Sequence, residues 1–146
     1  MTGFPAKVLV NGLPLPQPLV RAVHDGRWVA PRPEAQRPVF GESDETALFY
    51  SLEMIHRENA EWPGRKGPAF FGHPSRSQPP GDIDPARSVL IGDLGPDCMV
   101  ALDYRTSIDT PCVVYLKREK PLWVRIAESV EELLDLLDRH GPSEVS

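Results

Sequence analysis

Leu122-Trp123-Val124-Arg125-Ile126 is the stretch whose reading decides the fold. It alternates cleanly, with Leu122, Val124 and Ile126 on one face and Trp123 and Arg125 on the other, the period of a β-strand. Three further strand-like runs precede it: Ser88–Ile91, Met99–Asp103 and Cys112–Lys117. Turn-forming stretches separate them at Gly92–Asp97 and Thr106–Pro111, and Lys117–Pro121 closes a hairpin. Strands in such quick succession pair antiparallel. The reading predicts a meander over 88–126 with Val124 and Ile126 facing the core and Arg125 facing out.

The segment after the last strand reads as a helix with defined ends. Ser129 and Glu132 have the spacing of a capping box, and Glu131 adds negative charge to the first turn. Val130, Leu133, Leu134 and Leu137 form the buried stripe, with Leu136 at its margin. Gly141 and Pro142 stop the helix.

The N-terminal half is less regular. Lys7–Val10 ends at Asn11-Gly12, and Pro14 and Pro16 argue against a central strand there. A short helix is predicted from Pro18 to Asp25, ended by Gly26. Pro31 and Pro33 open an irregular stretch. A second helix is predicted from a cap at Ser43, with Leu48, Leu52 and Ile55 at helical spacing, fraying by Trp62 because Pro63 and Gly64 follow. Six prolines, at 63, 68, 74, 79, 80 and 85, break up residues 63–87, apart from the apolar patch Ala69-Phe70-Phe71. A loop of this length is a candidate binding surface.

The chain has 146 residues, the size of one domain, and a formal net charge of −5. Phosphate binding needs a basic stripe, so nucleic acid is not the expected main partner. No apolar run approaches a membrane span, and Met1 to Val10 lacks a signal-peptide pattern, so the expected location is the cytosol. Cys98 and Cys112 are too few for a disulfide framework and sit in apolar runs that suggest buried, inert thiols.

No motif meets the needs of catalysis. There is no GxSxG elbow, and His24, His56, His73 and His140 show no ligand spacing. Gly92 and Gly95 lack the remaining glycines and the lysine of a phosphate loop, and read as a tight turn. No catalytic residue, resident metal or cofactor is therefore expected. Asp82, Asp84, Asp93, Asp97 and Asp103 do crowd the strand ends. Aspartate is a favoured turn residue, which accounts for much of this. The same carboxylates could instead form an acidic patch for a basic protein or hold a hard cation. Asp82, Asp84, Asp93 and Asp97 are the candidate partner-binding residues.

Several stretches occur in a familiar order: Gly81-Asp-Ile-Asp-Pro85, Leu90-Ile-Gly-Asp-Leu-Gly95, Ala101-Leu-Asp-Tyr-Arg105, Pro111-Cys-Val-Val-Tyr-Leu116, Trp123, and Glu128-Ser-Val-Glu-Glu-Leu-Leu134. Together with Leu15-Pro-Gln-Pro-Leu-Val20 and Asp25-Gly26 they resemble the SUKH superfamily of Smi/Knr-like domains. The resemblance covers most of the chain and is thinnest between residues 30 and 80. It implies an α+β fold, a mainly antiparallel sheet flanked by helices, which agrees with the element order above. It also implies a non-catalytic binding role. Bacterial members are largely immunity proteins that neutralise cognate toxins, many of them nucleases, and eukaryotic relatives are regulatory binding proteins. The expected function is thus an immunity-type protein module. A regulatory adaptor for an endogenous protein is the alternative, and a metal-dependent hydrolase using the aspartates is more remote.

Overall fold

The computed structural model describes residues 7–41, 47–65, 70–95, 98–117 and 122–140, apart from the side chains at 33, 63–65, 139 and 140. In chain order the elements are β1 (Leu9–Val10), β2 (Leu13–Pro14), α1 (Gln17–His24), α2 (Pro33–Phe40), β3 (Leu48–Phe49) and α3 (Leu52–Arg65). There follow β4 (Pro80–Gly81), a 3-10 turn (Pro85–Arg87), β5 (Ser88–Asp93), β6 (Met99–Asp103), β7 (Cys112–Lys117), β8 (Leu122–Ala127) and α4 (Val130–His140). This is the α+β architecture the strand pattern implies. A six-stranded antiparallel sheet runs in the order β3-β5-β6-β7-β8-β4, and β1 and β2 form a separate ribbon.

The four long strands form the expected meander. Val124 and Ile126 pack half-buried against the core, and Arg125 is exposed. Trp123, assigned with Arg125 to the other face, is nevertheless fully buried. The reason is that both faces of the sheet are covered. On one, Trp62 of α3 meets Trp123 edge-on at 6.4 Å and donates its indole N–H to Ser88 Oγ at 2.9 Å. On the other, Phe40 of α2 packs edge-on against Tyr115 of β7 at 5.5 Å, and α4 lies against α2, β7 and β8. Burial on both faces erases the apolar–polar alternation in β5 to β7.

Three N-terminal readings need correction. The predicted second helix begins later: α3 starts at Leu52, where Ser51 Oγ accepts the Met54 amide at 3.2 Å. Leu48 and Phe49 instead form the edge strand β3, with Phe49 stacked on Trp28 at 4.1 Å. Ser43, the proposed cap, lies outside the described residues. Nor does α3 fray before Pro63; it continues to Arg65. Proline has no N–H to offer the carbonyl four residues back, and here that Asn59 carbonyl accepts the Asn11 side-chain amide at 2.9 Å. Third, the stretch after Pro31 contains α2, which Pro33 opens in its first turn and Gly41 ends at φ 91°. The reading of the first segment holds: β1 and β2 stay outside the main sheet, and Asn11 and Gly12, with φ of 54° and 82°, make the tight turn between them.

The C-terminal helix follows its reading in its cap and buried stripe, and the expected stop at Gly141 and Pro142 lies outside the described residues. Ser129 Oγ accepts the Glu132 amide at 3.1 Å, and the Glu132 carboxylate reaches back to the Glu128 amide. Val130, Leu133, Leu134 and Leu137 are buried, and Asp135 is exposed. Leu133→Ala and Leu137→Ala should each cost about 2–5 kcal/mol in denaturant melts. Asp135→Ala should change stability by no more than about 0.5 kcal/mol. A larger effect at Asp135 than at the leucines would invert the assignment of the buried face.

Candidate partner-binding surface

The aspartates that crowd together in the sequence divide between two ends of the sheet. Ser88 and Asp103 are partners at one end of the β5–β6 ladder, and Asp93 and Met99 are partners at the other. The five steps from Ser88 to Asp93 span roughly 17 Å at about 3.3 Å per residue. Asp84, just before β5, belongs with Asp103. Asp97 lies outside the described residues. One ion cannot therefore be held jointly by Asp93 and Asp84, and among the described residues no three His, Cys, Asp or Glu side chains form a metal-binding group.

Asp93 is held locally. Its carboxylate accepts the Tyr50 hydroxyl at 2.7 Å and the Gly95 amide at 3.0 Å. The second bond is the turn-making role expected of aspartate. Burial, reinforced by the bond to Asp93, raises the Tyr50 hydroxyl above the usual phenol range.

At the opposite end, Arg105 organises the carboxylates. Its Nε and Nη2 grip the Asp103 carboxylate at 3.0 and 2.9 Å, a bidentate fit suited to a planar guanidinium. Nη1 donates to Asp82 Oδ1 at 3.0 Å, and Nη2 also donates to the Asp82 carbonyl at 2.9 Å. Hydrogen bonding to Asp103, opposed by burial and helped by Asp82, raises the Arg105 guanidinium above its ordinary range. Asp103 is buried, whereas the Asp82 side chain keeps 31% exposure. The clamp therefore fixes the segment after β4 against the end of β6.

Asp84 caps the 3-10 turn, accepting the Ala86 amide at 3.0 Å, while its own carbonyl accepts Ser88 Oγ at 2.8 Å. Through Ser88 this turn is tied to Trp62, so its backbone is anchored in the core. The loop from Tyr104 to Pro111 extends the same end of the molecule. Tyr104 donates its hydroxyl to the Pro14 carbonyl at 2.8 Å, and the Thr110 amide bonds Ser107 Oγ at 2.9 Å. The loop carries exposed Asp109 and Ile108, the latter 54% exposed. Beyond β8, exposed Glu128 pairs with Arg125 at 3.4 Å.

Two features were missed in the sequence: Arg105 as the partner of Asp82, 23 residues away, and Asp109. Asp103-x-Arg105 at a strand end is a local signal for the first half of the clamp. Cys98 and Cys112 are buried, as expected, and not in a disulfide, and burial pushes the Cys112 thiol up. No helix among the described residues is long and apolar enough to cross a membrane. In comparisons with known proteins, no family model, no curated protein and no solved structure matches the chain.

Proposed function

We propose that this chain is a non-catalytic protein-binding module of the immunity type, which binds and neutralises a basic toxin domain such as a nuclease. The surface assigned to the partner is the end of the sheet bearing Asp82 and Asp84. One observation carries this reading: the Arg105 clamp and the 3-10 turn fix these two carboxylates on rigid backbone while leaving them open to solvent. Fixed charges suit recognition, because little freedom is lost when a partner docks. Arg105 and Arg125 are each paired with carboxylates here, so the acidic character is only partly offset.

A nuclease is basic where it meets nucleic acid, so an acidic surface of this kind matches its potential and speeds encounter. The resemblance to Smi/Knr-like domains supports the same reading. Asp93, at the other end of the sheet, is left out of the contact surface. An immunity gene sits beside its toxin gene, so the product of the neighbouring gene is the partner to test. Mixing the two purified proteins should give a stable complex with the partner's activity suppressed. A partner that stays fully active and elutes separately at micromolar concentrations would refute the immunity reading.

A further inference from the structure

The geometry points to a receptor for one lysine or arginine side chain of the partner, in the small pocket between the 104–111 loop and the start of α4. This inference rests on the protein-binding reading and names the chemistry the partner brings. The pocket has a volume of about 70 Å³. Its floor is apolar and buried, made by Pro16, Pro111 and Val130, and its rim carries the exposed carboxylates of Asp109 and Glu131. An aliphatic stem ending in a charge has this same division, so it can lay methylenes on proline rings while its head meets the carboxylates. A hydrated metal ion fits poorly, since it needs converging oxygen donors rather than apolar walls.

Two electrostatic effects oppose each other at this pocket. The α4 N-terminus carries the equivalent of roughly half a positive charge, which disfavours a cation. Against it stand two full negative charges on the rim, and the first-turn amide of Glu132 is already bonded by Ser129. The pocket shares Pro18 and Glu131 with a wider groove of about 340 Å³ lined by residues of α1 and α4. That groove includes Arg21 and Arg27, so its electrostatics are mixed. Among the described residues no cation lines the small pocket, which places the preference for a basic side chain there. Ile108, exposed beside Asp109, supplies an apolar contact for the partner's neighbouring residue.

The test uses the isotope-labelled chain and two synthetic peptides, acetyl-Gly-Arg-Gly-amide and its citrulline counterpart, which keeps the shape and loses the charge. Amide resonances of Asp109, Thr110 and Glu131 should move on adding the arginine peptide and stay in place with citrulline. Asp109→Asn combined with Glu131→Gln should weaken the arginine response roughly fivefold, equivalent to about 1 kcal/mol. Both positions are exposed, and the variant's spectrum itself reports whether the fold is kept. Equal responses to both peptides, or an undiminished response in the double variant, would overturn the pocket. Shifts confined to Asp82, Asp84 and Arg105 would also overturn it while leaving the acidic docking surface standing. Absence of a complex with the neighbouring gene's product, with the peptide response intact, would overturn the immunity reading and leave the pocket standing.

Discussion

Replacing Asn59 with leucine should destabilise the protein by about 3–5 kcal/mol, although the two side chains are close in size. Asn59 is fully buried on α3. Its amide group donates to the Ile55 carbonyl at 2.7 Å and the Leu90 carbonyl at 2.9 Å, and its oxygen accepts the Leu90 amide at 2.7 Å. The side chain therefore does for β5 what another strand would do. Among the described residues β3 pairs with β5 at Gly92 and Asp93, and the Tyr50 amide bonds the Ile91 carbonyl just beyond, so the edge at Leu90 needs another partner. Leucine would leave both backbone groups of Leu90 buried and unbonded, at about 1–3 kcal/mol each. Chemical melts and hydrogen exchange at the Leu90 amide would check this. A loss under about 1 kcal/mol would show that the edge is satisfied in another way.

Gly81→Ala should cost about 2–5 kcal/mol and loosen β4 from β8. Gly81 has φ of 82°, and an added Cβ would press on the His73 carbonyl oxygen and lie 2.6 Å from the Ser75 nitrogen. The left-handed conformation accounts for about 1–2 kcal/mol. The clash adds about 1–3 kcal/mol, as in other overpacked sites, because both neighbours are backbone and the Ser75 amide is bonded to the Pro80 carbonyl at 3.1 Å. Gly26 is the control, with φ of 77° and nothing within 4 Å, so Gly26→Ala should show the conformational cost alone. Equal effects at the two glycines would mean that the His73–Ser75 backbone does not approach Gly81 as described.

These two residues also show what the sequence conceals. The long strands and α4 were legible because period-2 runs, Asp and Gly turns and the Ser129–Glu132 pair are local signals. Leu48 and Phe49 were not, because a two-residue strand has no period and both residues also fit the apolar spacing of the helix that follows. The prolines at 31 and 33 hid α2, although Pro33 in a first turn is a legitimate helix start. Asn59 reads as an ordinary polar residue near a helix end, and only the fold brings Leu90 to it.

The candidate surface was legible in residue type but not in arrangement. Adjacency in sequence suggested one acidic cluster, whereas antiparallel pairing sends Asp93 and Asp84 to opposite ends. The Arg105 clamp joins residues 23 apart. The pocket draws on three separate segments, around Pro16, Asp109 and Val130. Such groupings leave no local pattern, so no spacing rule would have found them.

The most direct test of the functional proposal is the association rate with the product of the neighbouring gene, measured across salt for the wild type and for Asp82→Asn with Asp84→Asn. Asparagine keeps an oxygen for Arg105 and for the Ala86 amide, so the melting temperature should barely move. A partly exposed ion pair such as Asp82–Arg105 contributes no more than about 1 kcal/mol. At low salt the doubly neutralised protein should associate roughly tenfold more slowly, because electrostatic steering is weakened. The two rates should converge toward 1 M salt, where the Debye length falls to about 3 Å. An unchanged rate and an unchanged salt slope would contradict the proposal and move the contact surface away from Asp82 and Asp84.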